Sequence, residues 1–141
     1  MKEQKLVTNI YHLVVVATIF NVIWLLVSIY MLTVSAYALI TIVQVVITLY
    51  ILVQIETACK TLRKGNVFSK GVTECIQKVA HACIVNGIAT SMLQTLITSY
   101  YDNAISIHFS VTMIGVGILL YVGARIYQYG CEQKEEIDLT V

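Results

Sequence analysis

Between Lys5 and Glu56 the chain carries no Asp, Glu, Lys or Arg, so residues 6–55 form an unbroken neutral stretch of 50 positions. One bilayer crossing takes about 20 residues of α-helix, so this stretch holds two crossings and the tight turn between them. A second neutral run begins at Val79, is interrupted only by Asp102, and resumes to Ala124, which provides two more. The expected spans are 6–32, 37–58, 79–100 and 105–128, with a connecting loop at 59–78 and a tail at 129–141, all in one transmembrane domain. Val, Ile and Thr are frequent in these runs and would favour strands in water. In lipid the backbone has to satisfy its own hydrogen bonds, and apolar runs of this length do so as helices. The strict alternation of a transmembrane barrel is absent. The predicted fold class is all-α: a polytopic membrane protein with four transmembrane helices in an antiparallel bundle.

Composition narrows the class further. Of the 141 residues, 58% are hydrophobic and 12% charged, with a mean hydropathy of +0.81. A soluble domain runs about 45–50% apolar and about 25% charged, so soluble globular folding is excluded and the lipid bilayer becomes the first partner. A net charge of +1 offers no basic surface for direct nucleic-acid binding. Lys2 and Lys5 followed by an apolar run resemble a signal peptide, but the run is too long and lacks a clean small-residue cleavage site, which favours a retained anchor.

The placement of bases predicts orientation. Lys2 and Lys5 precede the first span; Lys60, Arg63, Lys64, Lys70 and Lys78 lie between the second and third; Arg125 and Lys134 belong to the end of the chain. All nine fall on one side, and the two opposite turns have none. Because basic flanks stay cytoplasmic, both termini are expected inside, with the chain in the cell membrane.

Candidate chemistry is sparse. Cys59, Cys75 and Cys131 map to the loop and tail and Cys83 to the third span, with no C-x-x-C pair and a reducing compartment, so packing or free thiols are expected rather than disulfides. His12 and His81 lie at similar depth near these cysteines, but without an i, i+4 partner or a carboxylate they point to packing, and His108 to the interface. No catalytic, cofactor or metal site is predicted, and no ionisable group stands at mid-span to mark a proton pathway.

Neutral polar positions are more regular. Tyr37, Thr41, Gln44 and Thr48 share a face of the second helix; Gly87, Ser91, Gln94 and Thr98 share one of the third, flanked by Asn86, Thr90 and Thr95. Helix contacts in lipid rest on small-residue packing and interhelical hydrogen bonds of about 0.5–2 kcal/mol, so both faces should turn toward protein. The stripe Thr41, Gln44, Thr48, Asn86, Ser91 and Gln94 could instead line a cavity for a small solute, lipid or peptide, as in a transport or immunity protein. Gly87 and Ser91 form a small-x-x-x-small pair that suits close crossing, whether with a helix of the same chain or of a second copy in a homo-oligomer.

The segment between the second and third spans reads ETACKTLRKGNVFSKGVTECIQKVAH. Its bases suit the end of a helix stem, Gly65 a stop, residues 66–68 a turn, and Ser69 an N-cap. The stem followed by KGNVFS, and a chain end reading EEIDLTV, resemble the bacterial four-span family known as domain of unknown function 2975. The shared motifs fall on Gly65, Asn66, Phe68 and Ser69, and on Asp138, Leu139, Thr140 and Val141; Val67 stands where that family often has proline. The resemblance covers essentially the whole chain and implies a fold far more than an activity. Members are often encoded beside small helix-turn-helix regulators, which implies a membrane protein working with a DNA-binding partner. The function expected is therefore non-enzymatic: a regulatory or scaffold protein engaging a cytoplasmic partner through Lys64, Gly65, Asn66, Phe68 and Ser69 and through Asp138, Leu139, Thr140 and Val141. Loop bases such as Lys60, Arg63, Lys64 and Lys70 should draw in Glu135, Glu136 and Asp138.

Overall fold

The computed structural model describes residues 2–64, 69–102 and 110–140, excepting the side chains of residues 2–4, 102 and 138. Four helices follow one another: α1 (Lys2–Met31), α2 (Ala38–Arg63), α3 (Lys70–Asp102) and α4 (Val111–Thr140). No strand occurs among the described residues. Each helix contains a segment long and apolar enough to cross a membrane: Lys5–Met31, Ala38–Arg63, Lys70–Tyr101 and Val111–Ile137. The fold is the expected four-helix membrane bundle.

Helices of 30, 26, 33 and 30 residues are about 39–50 Å long, more than the roughly 30 Å of a hydrocarbon core. The excess absorbs most of the presumed loop and tail. Residues 59–63 finish α2, residues 70–78 open α3, and residues 129–140 continue α4 without a break. The stem ends at Lys64, whose N–H reaches Thr61 O at 3.1 Å. Ser69 then caps α3 as its residue type predicts, its Oγ accepting the Val72 N–H at 3.4 Å.

Packing follows chain order: α1 on α2, α2 on α3, α3 on α4, with no Cα of α1 within 8 Å of α4 among the described residues. Three contacts show the antiparallel sense. The Arg63 guanidinium stands 5.5 Å over the Tyr11 ring, joining the end of α2 to the start of α1. Tyr37 and Tyr101 lie 6.5 Å apart at the start of α2 and the end of α3. Lys70 Nζ is 3.6 Å from Glu135 Oε2 at the start of α3 and late in α4. The bases of the described side chains therefore collect at one end of the bundle. Tyr30, Tyr37, Tyr100 and Tyr101 mark the other end, and Tyr11 and Tyr30 on α1 are 19 residues apart, about 28 Å along the axis and close to one hydrocarbon thickness.

α3, packed between α2 and α4, is the least apolar of the four helices. Thr73, Asn86, Thr90 and Ser91 are all buried there, whereas α1 exposes Leu13, Ile19, Phe20, Trp24 and Leu26. Such an apolar surface would drive aggregation in water; in a bilayer it meets a solvent of its own kind.

The α3–α4 seam is built on small residues. Ala80 and Ala124 are 0% exposed. A Cβ on Gly117 would stand 2.8 Å from Ala80 O and 2.6 Å from Ile84 Cγ1, and one on Gly87 would stand 2.7 Å from Ile114 Cγ1. The two glycines thus receive each other's helix, so the partner of the small-residue face on α3 is α4 of the same chain. Ser91 locks the register: its Oγ donates to Gly87 O at 2.6 Å and accepts the Ser110 N–H at 2.8 Å, securing a backbone donor at the start of α4. Because Ser110 meets Ser91, residues 92–102 of α3 run past the start of α4, and α4 is displaced toward the base-rich end. Among the described residues the fourth helix begins at Val111; residues 105–109, where the sequence placed the start of the span, lie outside them.

Candidate functional site at the base-rich end

The displacement of α4 has a direct effect at the base-rich end. α3 starts opposite Glu135, so residues 136–140 continue as helix past the first residue of α3. Glu132, Glu135 and Glu136 are exposed along this extension, as are Ile137 and Leu139, the last at 86%. Thr140 Oγ1 donates back to Ile137 O at 2.9 Å and Glu136 O at 3.1 Å, closing the final turn.

Of the pairings expected between loop bases and tail acids, Lys70–Glu135 forms, at 3.6 Å with side chains 74% and 61% exposed. It brings the start of α3, next to Ser69, against the tail, so two of the candidate segments adjoin. Solvent screening leaves such a pair worth about 0–1 kcal/mol, a contact readily exchanged for another. Lys64 is exposed at the end of α2, and Ser69 is half-buried as the α3 cap. Gly65, Asn66, Phe68, the Asp138 side chain and Val141 lie outside the described residues, as do His108 and Asn103.

Beside the ion pair, Lys70, Thr73, Glu74 and Gln77 of α3 face Gln128, Cys131 and Glu132 of α4 across a cleft of about 230 Å³. Gln128 Nε2 donates to Glu132 Oε1 at 3.0 Å, which orients one wall. Thr73 Oγ1 is buried and has no hydrogen-bond partner, which leaves an unmet polar group on the opposite wall. The lining mixes one ammonium, two carboxylates and two amides, a set suited to a polar or ionic side chain of another molecule. Sequence reasoning missed this cleft. Its signal is there in the polar positions 70, 73, 74 and 77 and 128, 131 and 132, spaced as one helix face each, but it can be read only once those stretches are known to be helical.

The intramembrane stripe is placed unevenly. Asn86 and Ser91 are buried, Thr41, Thr48 and Gln94 are half-buried, and Gln44 is exposed. The expectation that Gln44 faces the interior is therefore corrected. The buried positions of α2 are Ala38, Val45 and Cys59, and Gln44, one residue from Val45, is turned about 100° away from that line. The hydroxyls also spend themselves locally: Thr48 donates to Gln44 O at 2.8 Å, Thr90 to Asn86 O at 2.6 Å and Thr98 to Gln94 O at 2.8 Å. A carbonyl four residues back is always within reach, so the seam rests on close packing more than on hydrogen bonds between helices.

All four cysteines are buried and free, serving as small apolar residues. His81 Nδ1 lies 2.7 Å from Gln77 O, which, as an acceptor, requires the proton on that nitrogen, and the ring meets Tyr121 edge-on at 5.6 Å. His12 packs against its neighbour Tyr11. Among the described residues no three His, Cys, Asp or Glu side chains gather as a metal site would require.

No curated protein and no solved structure matches the chain. The family described as "Protein of unknown function (DUF2975)" matches residues 2–141. A match over almost the whole length, on a fold of four membrane-crossing helices, means that the chain belongs to this family.

Proposed function

We propose that the protein is a non-enzymatic, multi-pass protein of a bacterial cell membrane, with both termini cytoplasmic, that holds a cytoplasmic protein partner at its base-rich end. The observation that carries this is the end of α4: a helical extension past the start of α3 with exposed acids, exposed Ile137 and Leu139, and one weak ion pair at Glu135. Charge on one side and apolar residues at the tip are what a helix-in-groove contact uses. The family's association with helix-turn-helix regulators makes such a regulator the partner to test first.

The alternative of a solute pathway through the stripe receives less support, since Gln44 turns outward and the hydroxyls of Thr48 and Thr90 are engaged within their own helices. The test is photo-crosslinking in native membranes with a diazirine amino acid at Leu139, and at Tyr30 as a control at the opposite end. A discrete protein adduct from Leu139 alone, lost when residues 138–141 are deleted without loss of membrane insertion or thermal stability, is the expected outcome. Adducts to lipid only, or unfolding of the truncated protein in detergent, would make the tail a structural clasp and end the docking proposal.

A further inference from the structure

A groove of about 480 Å³ runs between α2 and α3, lined by Val46, Ile47 and Tyr50 on one side and Lys78, His81, Ala82 and Val85 on the other. Its polarity is graded along the helix axes. Lys78, His81 and Tyr50 are the lining residues nearest the base-rich end, and Val46, Ile47, Ala82 and Val85 carry it inward as a purely apolar channel. Lys78 is also the last charged residue before the neutral run 79–101, which is 23 residues or about 35 Å long and spans the hydrocarbon core. The polar mouth therefore sits at headgroup depth.

The charge at this mouth is available. Glu56 holds Lys60 at 2.7 Å and Glu135 holds Lys70, but Lys78 has no carboxylate oxygen within 4 Å among the described residues, although Glu74 lies one turn before it. His81 gives its Nδ1–H to Gln77 O and packs on Tyr121, which fixes the ring and leaves Nε2 free to meet a ligand. A cation and a phenol, which suit a phosphate, and an imidazole acceptor, which suits a hydroxyl, stand at the interface above an apolar channel open to the bilayer; together they match a phospholipid whose headgroup carries a hydroxyl.

We propose that this groove binds one anionic phospholipid with a hydroxyl-bearing headgroup, its phosphate against Lys78 Nζ, a headgroup hydroxyl donating to His81 Nε2, and one acyl chain along Val46, Ile47, Ala82 and Val85. The site shares no residue with the α4 docking element, and it borders the Lys70–Glu132 cleft, whose Gln77 carbonyl holds the His81 ring. A zwitterionic lipid carries its own ammonium beside the phosphate and gains less from Lys78.

The test is native mass spectrometry of the full-length protein with phosphatidylglycerol and phosphatidylcholine of identical chains. One phosphatidylglycerol should be retained about tenfold more tightly than phosphatidylcholine, because it carries a net negative charge for Lys78 and glycerol hydroxyls that donate to His81 Nε2, which the choline headgroup lacks. Lys78→Gln should bring the two lipids close to parity, Val85→Phe should weaken both by filling the channel, and Lys5→Gln, which removes an exposed base outside the groove, should change neither. Glycerol 3-phosphate, which has the phosphate without chains, should not displace the bound lipid. Equal retention of the two lipids by the unaltered protein, an equal effect of Lys5→Gln and Lys78→Gln, or displacement by glycerol 3-phosphate would each overturn the proposal. Folding of each variant is checked by its melting profile, and Lys78 is exposed, so its replacement leaves the fold intact.

Discussion

Alanine at Gly117 should loosen the α3–α4 seam, while alanine at Gly115, two residues away on the same helix, should not. A Cβ at 117 would stand 2.6 Å from Ile84 Cγ1, 2.8 Å from Ala80 O and 3.0 Å from Ile84 N; at 115 it meets nothing within 4 Å. The Ile84 side chain can swing aside, but the α3 backbone cannot, so relief requires the helices to part by several tenths of an ångström. Overpacking of this kind costs about 1–3 kcal/mol. Glycine to alanine within a helix returns about 0.8–1 kcal/mol in water, and less here if the unfolded state in detergent keeps its helices. The balance is a loss of about 1–2 kcal/mol at 117 and a change between zero and a gain of about 1 kcal/mol at 115. Titration of the purified protein with SDS, followed by near-UV circular dichroism, reads this difference directly. Gly117→Ala should unfold at lower SDS than the parent, and Gly115→Ala at the same or higher. Coincident curves for the two variants would show that close backbone approach does not hold the seam, and the account of the small residues on both helices would fall with it.

Ser91→Ala removes the hydroxyl that holds the Ser110 N–H at the start of α4, and should cost about 1 kcal/mol in the same titration, with faster amide exchange at the start of α4; an unchanged exchange pattern would mean that the register is set by the glycines alone. Because Cys59, Cys75, Cys83 and Cys131 are buried, membrane-impermeant maleimide should label the native protein slowly and the SDS-denatured protein fully. That low background makes topology measurable: in intact cells Asn103→Cys should label from outside and Lys134→Cys only after permeabilisation. The reverse pattern would refute the assignment of both termini to the cytoplasm.

Much of this protein is dictated locally. Fifty consecutive neutral residues in lipid have no choice but to form helices, since only a helix satisfies every backbone group within its own segment, and the number of crossings follows from length alone. Ser69 as a cap and the collection of bases at one end are equally local, one a matter of side-chain reach and the other of chain reversal at each turn. Rotation and register are not local. Both Gln44 and Val45 fit an inward face when only spacing is considered, and it is the heptad of Ala38, Val45 and Cys59 against neighbouring helices that turns Gln44 out. The sequence shows Gly87 and Ser91 as a pair fit for close crossing, but only the fold pairs them with Gly117 and Ser110 and so slides α4 toward the base-rich end. That slide carries Glu135 to Lys70, opens the cleft around Thr73 and extends Leu139 beyond α3. Each of these sites joins residues from two helices, and their juxtaposition depends on a few close contacts between surfaces that the chain order alone leaves free to slide.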